Sequence, residues 1–308
     1  IMIIIMKRII YIICIFSLGY SGKVLSQSSN QNYIQKRVYQ NENATKHLDI
    51  LNYYNGIGQL VQTIQKEVTP TGKDLVELQE YDIVGRQTKS WLPVTSSGNG
   101  DYVNPVVIKN SQALYNQDTS PYSEVQYQPT PLGDESKRFG PGQNWYNNDK
   151  SIRTTYLVNN SSDSLACIAF AVSGSRMNTQ LNKVSDLYPS GELLVIRVIN
   201  EDNNVSYTFK DKSGKILLNR QVNISNDNNK IFLDTYMVYD NAGNLCYVLP
   251  PLAKEKLIGT IWNDDNQIIK EYVYVYKYDE RFRCVKKRLP GTDWIYQVFD
   301  QKNRIVMT

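Results

Sequence analysis

The sequence predicts an all-β protein in which antiparallel β-hairpin repeats form a curved or spiralling sheet, with a short helix near residues 252–261. Three observations predict it. A short corner motif recurs along the chain. Tyr, Val and Ile alternate with period 2 beside it. Tyrosine far exceeds the other aromatics, with 23 Tyr against 7 Phe and 4 Trp.

The corner is aromatic, Asp or Asn, two free residues, Gly, then a basic or amide residue. Tyr81-Asp82-Ile83-Val84-Gly85-Arg86 is the cleanest copy, and Tyr239-Asp240-Asn241-Ala242-Gly243-Asn244 and Tyr54-Asn55-Gly56-Ile57-Gly58-Gln59 match it. Asp211-Lys212-Ser213-Gly214-Lys215 follows Phe209 by two residues. Tyr278-Asp279-Glu280-Arg281-Phe282-Arg283 and Phe299-Asp300-Gln301-Lys302-Asn303-Arg304 keep the frame without the Gly. An Asp or Asn side chain accepts from backbone N–H groups two residues on and starts a turn. The Gly stands where the chain must reach positive φ before the second strand. Asn303 tolerates that conformation next best. Phe282 does not, so its turn is expected to be built differently.

The flanks have strand chemistry. Tyr272, Tyr274, Tyr276 and Tyr278 interleave with Val273, Val275 and Lys277, and Tyr207, Tyr236 and Tyr296 each lie four residues ahead of a turn Asp. Leu60-Val61, Ile216-Leu217-Leu218, Leu245 to Leu249 and Ile305-Val306 follow the turns. Several second strands end at Pro, at Leu92-Pro93, Leu249-Pro250-Pro251 and Leu289-Pro290; Pro stops ladder pairing. Leu252 to Ile261 reads as a helix after the Pro pair, with Lys254, Glu255 and Lys256 on its wet side. The gap between Asp82 and Asp211 reads as a distinct β region. It opens with a polar loop, Thr95 to Asp101. It holds strands in Ser151 to Val172 and Leu193 to Ile199, and repeat-like pieces at Arg138-Phe139-Gly140-Pro141-Gly142 and Tyr188-Pro189-Ser190-Gly191-Glu192. The expected organisation is a signal peptide over 1–26, a leader over 27–50, first repeats over 51–95, an intermediate β region over 96–200 and further repeats over 201–308.

Composition bounds the function classes. The chain has 308 residues, 41% hydrophobic and 21% charged, with a net charge of +4. That is globular composition, and no Lys/Arg block concentrates the charge, so no nucleic-acid partner is expected. Met6-Lys7-Arg8, the apolar run Ile9 to Leu18 and Val24-Leu25-Ser26 read as an export signal cleaved before Gln27. Residues ahead of Met6 read as upstream sequence, and Cys14 lacks the small preceding residue that lipidation wants. The expected location is secreted or on the cell surface or envelope, with membrane contact only through the signal segment. Cleavage leaves Cys167, Cys246 and Cys284, too few for a disulfide framework; one pair or three free thiols both fit.

Tyr-Asp-x-x-Gly-Arg hairpins with Tyr-rich strands resemble the YD repeats of RHS proteins, with similar repeats in bacterial toxin-complex shells and teneurins. Asp234 to Leu245 and Tyr274 to Gly291 look like the N-terminal region preceding the RHS core of secreted Bacteroidota-type proteins. The resemblance implies a β-shell that, in many members, encloses a C-terminal toxin freed by aspartyl self-cleavage. Neither a self-cleavage region nor a toxin domain is recognisable here. The chain therefore reads as a fragment of a longer protein or a truncated gene, with downstream repeats and toxin cargo as its expected partners.

No chemistry competes with that reading. His47 is the sole histidine, and no Gly-x-Ser-x-Gly elbow, zinc spacing or phosphate loop appears. Asn263-Asp264-Asp265-Asn266 reads as a turn rather than a Ca²⁺ loop. The turn aspartates have a structural role already, so no catalytic, cofactor or metal residue is assigned. The expected function is a non-enzymatic structural segment associated with toxin delivery or intercellular contact. The alternative is a module binding a surface protein or glycan through Trp91, Trp145, Trp262 or Trp294.

Overall fold

The computed structural model describes residues 30–225, 227 and 229–308. The export signal and its cleavage point before Gln27 lie outside the described residues. The described residues divide into two compact units, those of 30–124 with 140–143, and those of 125–139 with 144–308.

The first unit contains β1 (Asn32–Tyr39), β2 (His47–Tyr54), β3 (Leu60–Gln65), β4 (Asp74–Tyr81), β5 (Gln87–Trp91), β6 (Val94–Ser96) and the start of β7 (Tyr122–Tyr127). β1 to β4 pair antiparallel in sequence. The far edge of β4 is shared between β6, opposite Asp74 to Val76, and β5, opposite Gln79 to Tyr81; β5 then pairs with β7. Strand β1 and the start of β2 thus occupy the stretch read as a leader. Alternation decides what is buried: Leu51, Tyr53, Ile64, Val76 and Leu78 point into one core, closed by Trp91, Val94 and Ile108. Ile108 comes from α1 (Pro105–Lys109), whose start is capped by the Asn104 side chain accepting from the Val106 N–H. Tyr53 is fully buried, and its hydroxyl donates to the Gly100 carbonyl at 2.7 Å.

The second unit holds β8 (Glu135–Phe139), β9 (Ser151–Val158), β10 (Ala169–Ser175), β11 (Asn178–Ser185), β12 (Leu194–Ile199), β13 (Val205–Lys210), β14 (Ile216–Ile224), β15 (Lys230–Tyr239), β16 (Leu245–Leu249), β17 (Ile261–Trp262), β18 (Tyr274–Tyr278), β19 (Cys284–Arg288), β20 (Ile295–Tyr296), β21 (Val298–Phe299) and β22 (Ile305–Met307). Its main sheet runs antiparallel from β8 through β9, β12, β13, β14, β15, β16, β18 and β19 to β20. Strands β10, β11 and β17 pair as a separate small sheet. Its Leu181 and Trp262 share a core with Phe209, Leu218, Tyr236, Val238, Tyr247 and Val275 of the main sheet.

Two buried ion pairs bind the pieces of this unit. Arg220 and Asp234 face each other on β14 and β15 and form a two-pronged bridge at 2.7 and 2.8 Å. The third guanidinium nitrogen donates to the carbonyls of Asp163 and Ser164, at 2.7 and 3.0 Å, and fixes the loop before β10. Lys277 on β18 is 1% exposed. Its ammonium meets Asp264 at 2.6 Å and donates to the Thr179 hydroxyl on β11, tying main sheet to small sheet. Burial lowers the Lys277 pKa, and the Asp264 carboxylate opposes that shift.

Two sequence expectations need correction. The helix after the Pro pair is α3 (Pro251–Lys256), following α2 (Gln143–Asn147); it stops well before residue 261, which starts β17. Tyr272 is not in a strand but ends α4 (Gln267–Tyr272), because the Asn266 side chain accepts from the N–H groups of Ile268 and Ile269 and starts a helix there. From Val273 onward the alternation holds, with Val273, Val275 and Lys277 buried and Tyr274, Tyr276 and Tyr278 half-buried on the other face.

Leu218 lies at the centre of the second core and is fully buried. Leu218→Ala is expected to lower unfolding free energy by about 2–5 kcal/mol. Ile83→Ala, on an exposed corner tip, should change it by less than about 0.5 kcal/mol. Urea unfolding of both variants checks the contrast.

Candidate functional site

The corners share one geometry. At Asp82 the backbone N–H donates to the Arg86 carbonyl at 2.9 Å, and the Gly85 N–H returns to the Asp82 carbonyl at 3.1 Å. The Asp82 Oδ1 accepts from the N–H groups of Val84 and Arg86 at 3.0 and 2.8 Å, while Arg86 Nε donates to Oδ2 at 2.8 Å. Gly85 has φ +86°, outside the range L side chains adopt cheaply. The same pair of backbone bonds closes the corners at Asn55–Gln59, Asp211–Lys215, Asp240–Asn244, Asp279–Arg283 and Asp300–Arg304. In each, the first side chain accepts from the N–H of the last corner residue, at 2.8 or 2.9 Å. Gly58, Gly214, Gly243 and Asn303 hold the positive-φ position.

Phe282 holds it too, at φ +61°, so the expectation of a different turn there was wrong. The Asp279 carboxylate supplies the usual acceptors, with Arg283 Nε donating to it at 2.7 Å. Arg176 lies over the Phe282 ring, 4.2 Å from its centre, and donates to the Glu280 carbonyl at 2.9 Å. A cation held against the ring offsets the backbone strain.

Among the described residues, further corners escaped the sequence template. Asn200-Glu201-Asp202-Asn203-Asn204 makes the same bonds, with Asn203 at φ +65°, but Ile199 precedes it instead of an aromatic. Thr69-Pro70-Thr71-Gly72-Lys73 does so with a hydroxyl as acceptor. The Asn-rich string and the Pro-x-Gly were the available signals. The repeat-like piece at Tyr188–Glu192 is no such corner, since the Gly191 N–H donates to the Asn159 carbonyl.

The aromatic residue ahead of the Asp has a role beyond ending a strand. The Tyr81 hydroxyl donates to the Leu60 carbonyl at 2.8 Å, Tyr239 to Ile216 at 3.1 Å and Tyr278 to Leu245 at 2.9 Å. Each acceptor lies two residues past the positive-φ glycine of the preceding Asp- or Asn-led corner. The residue between them reaches the other way. Gln59 donates to the Gly85 carbonyl at 2.8 Å, Lys215 lies over the Tyr239 ring at 5.5 Å, and Arg283 donates to Asn303 Oδ1 at 3.2 Å and covers Phe299 at 5.0 Å. The Asn55/Asp82 and Asp211/Asp240 corner pairs are therefore linked by side chains in both directions, and the Asp240/Asp279 and Asp279/Asp300 pairs in one, in addition to strand pairing.

The carboxyls are tuned by this geometry. Asp300 is held below the usual carboxylate range by the Arg304 backbone N–H and then its guanidinium. For Asp82, Asp211 and Asp279, burial pushes the carboxyl up, and the several N–H and side-chain donors together outweigh it.

Cys167, Cys246 and Cys284 are free thiols, and burial pushes Cys167 up to about 12 and Cys246 up to about 11, far from thiolate chemistry. His47 lies 3.7 Å from Asp49, whose carboxylate is taken by Arg37 at 2.7 Å. Among the described residues no group of three or more His, Cys, Asp or Glu is placed to hold a metal. Trp91 and Trp262 are buried, with indole N–H groups bonded to Glu80 and the Ile258 carbonyl. Trp294 carries Lys286 and Arg288 against its ring at 4.0 and 4.6 Å, and Trp145 is exposed.

Residues 26–158 match a family described as a domain of unknown function, DUF6443. No curated protein matches the chain. Among solved structures, the crystal structure of TcdB2-TccC3 is similar over 89% of this chain and 12% of that one, with 13% identity and a TM-score of 0.54. A Photorhabdus luminescens Tc holotoxin pore is similar over the same shares, with 12% identity and a TM-score of 0.52. The fold is shared with these toxin structures. This chain spans only 12% of their length. The DUF6443 match covers residues 26–158, and the likeness to the Tc structures shows the fold.

Gly243→Val is expected to cost about 1–3 kcal/mol through strain at positive φ. The space itself is lenient, since a Cβ there meets only the flexible end of Lys215, at 2.5 Å. Tyr239→Phe should cost about 0.5–1.5 kcal/mol, one hydrogen bond. Denaturant unfolding giving no loss for either would contradict the corner and its link.

A depressed folded-state pKa means stability that is complete above the ordinary Asp value of about 3.9 and lost as pH falls through the folded value. The urea midpoint should therefore drop as pH is lowered below about 4. A variant combining Asp82→Asn, Asp211→Asn, Asp279→Asn and Asp300→Asn keeps an acceptor at each corner without the titration. Its midpoint should fall less steeply; an unchanged slope would place the acid sensitivity elsewhere.

Proposed function

We propose that the chain is a non-enzymatic structural segment of an exported RHS-type protein, one that contributes to a β-shell or surface scaffold associated with toxin delivery or contact between cells. The observation that carries this reading is the side-chain linkage of Asp- or Asn-led corners, two-way for the Asn55/Asp82 and Asp211/Asp240 pairs. Side chains that catalytic proteins direct into a cleft are here used in the hairpins: the Tyr81, Tyr239 and Tyr278 hydroxyls and Arg283 fasten corner to corner, and the corner carboxylates close their own turns. Such an array distributes stability along its length and suits a wall. The DUF6443 match and the fold shared with Tc toxin structures favour the same reading. The proposed partners are further repeats of a longer chain and its C-terminal toxin cargo, and the proposed location is outside the cytoplasm.

A glycan-binding role has weaker support. Two of the four tryptophans are buried, and Trp294 already has cations against its ring.

Mass spectrometry of the native protein in fractionated cells tests the proposal. The expected result is peptides of this segment in the envelope or medium, beginning at Gln27, within a chain carrying more Tyr-Asp corners. Recovery from the cytosol with the segment around Met6 retained, and no further corners, would contradict it.

A further inference from the structure

We propose that Lys277 and Asp264 become joined by an isopeptide bond, formed by the protein itself between Lys277 Nζ and Asp264 Cγ with loss of one water. The bond is independent of the scaffold reading.

The two groups are held as reactants. The Lys277 ammonium lies 2.6 Å from Asp264 Oδ2, and the lysine side chain is 1% exposed. Its other donors end on the Thr179 hydroxyl and, at 3.3 Å, on the Thr179 carbonyl. The aspartate is fixed through its own turn. The Asn263 side chain accepts from the N–H groups of Asp265 and Asn266, both at 3.1 Å, and Arg288 donates to the Asp264 carbonyl at 2.9 Å. An amine and a carboxyl held in contact by packing need no encounter, so the entropic part of the barrier to joining them has been met by folding.

Burial favours the product. An enclosed ion pair carries the desolvation cost of two charges, and a neutral amide carries neither. Burial also lowers the Lys277 pKa, which raises the share of neutral amine, the form that attacks. The Asp264 side chain is 22% exposed, so the released water has a way out. The neighbouring pair of Lys270 and Asp265 lacks these conditions, since it stands 3.4 Å apart with side chains 44% and 89% exposed.

The steps balance within the site. The ammonium gives one proton to Asp264 Oδ2, leaving a neutral amine beside a carboxylic acid. The nitrogen lone pair then attacks Cγ, and negative charge collects on Oδ1. The Tyr247 hydroxyl lies 3.2 Å from that oxygen and 2.9 Å from the Thr179 carbonyl. Burial pushes the Tyr247 hydroxyl up, so it keeps its proton and turns it to Oδ1 as charge builds there. The nitrogen passes a second proton to the Oδ2 hydroxyl, the bond from Cγ to Oδ2 breaks, and water leaves. One N–H remains on the new amide, facing Thr179. No oxidant, reductant or co-reactant enters. The product ties the turn ahead of α4 covalently to β18.

Intact-mass spectrometry of the denatured full chain tests the bond, with Asp264→Ala and Lys277→Arg beside the native protein. The native chain should be lighter by one water than the sequence it carries, and each variant should have its full mass. Full mass in the native chain, both fresh and after prolonged incubation, overturns the proposal. A deficit that persists in Lys277→Arg marks a cyclised aspartate and overturns it too. Fragmentation of a digest of the native chain locates the link without relying on the variants: branched fragments joining Asp264 to Lys277 support it, and a water lost anywhere else overturns it. Tyr247→Phe should form the bond at least about tenfold more slowly after synthesis; an unchanged rate overturns the part assigned to that hydroxyl.

Discussion

The structure depends on a carboxylate or amide oxygen that gathers one or two backbone N–H groups while the chain reverses. A tight reversal leaves amide groups without ladder partners, and unpaired polar groups are costly where strands pack. The first residue of each corner supplies the missing acceptor, and the positive-φ residue lets the chain turn within the space available. Once that reversal is fixed, the strands on either side have their register, and alternation sends one set of side chains inward. Leu218, Tyr236 and Val238 are buried and their neighbours are not because the corners at Asp211 and Asp240 set the phase.

Tyrosine is abundant because it serves two surfaces. Its ring covers half-exposed sheet, and its hydroxyl, in Tyr81, Tyr239 and Tyr278, reaches back to the preceding hairpin. Phenylalanine could do only the first. Tyr53 and Tyr247 go further and are fully buried, which is tolerable because Gly100 and Thr179 accept from their hydroxyls. The chain therefore holds more core than a Tyr-rich composition suggests.

Much of the hairpin pattern was legible because Asp, Asn and Gly signal turns through local chemistry. The corner at Asn200 was missed since neither an aromatic nor a glycine marks it, although Asn203 adopts the same φ. Phe282 was misjudged because its compensation, Arg176, lies far away in sequence. The small sheet of β10, β11 and β17 joins segments with no shared motif, and the bridge between Arg220 and Asp234 is visible only once register puts them opposite each other. Lys277 shares the inward face of its strand with Val273 and Val275, and only the folded position of Asp264 makes a buried ammonium there acceptable. The links between corners were not legible either, since each depends on the spacing of two hairpins brought together by pairing.

The most direct measurement of the central claim compares Asp240→Ala with Asp240→Asn in equilibrium unfolding. The account predicts that Asn, which keeps an acceptor oxygen, stays within about 0.5 kcal/mol of the native protein, while Ala loses about 1–3 kcal/mol through the unsatisfied Asn244 N–H. Equal stability of the two variants would contradict it.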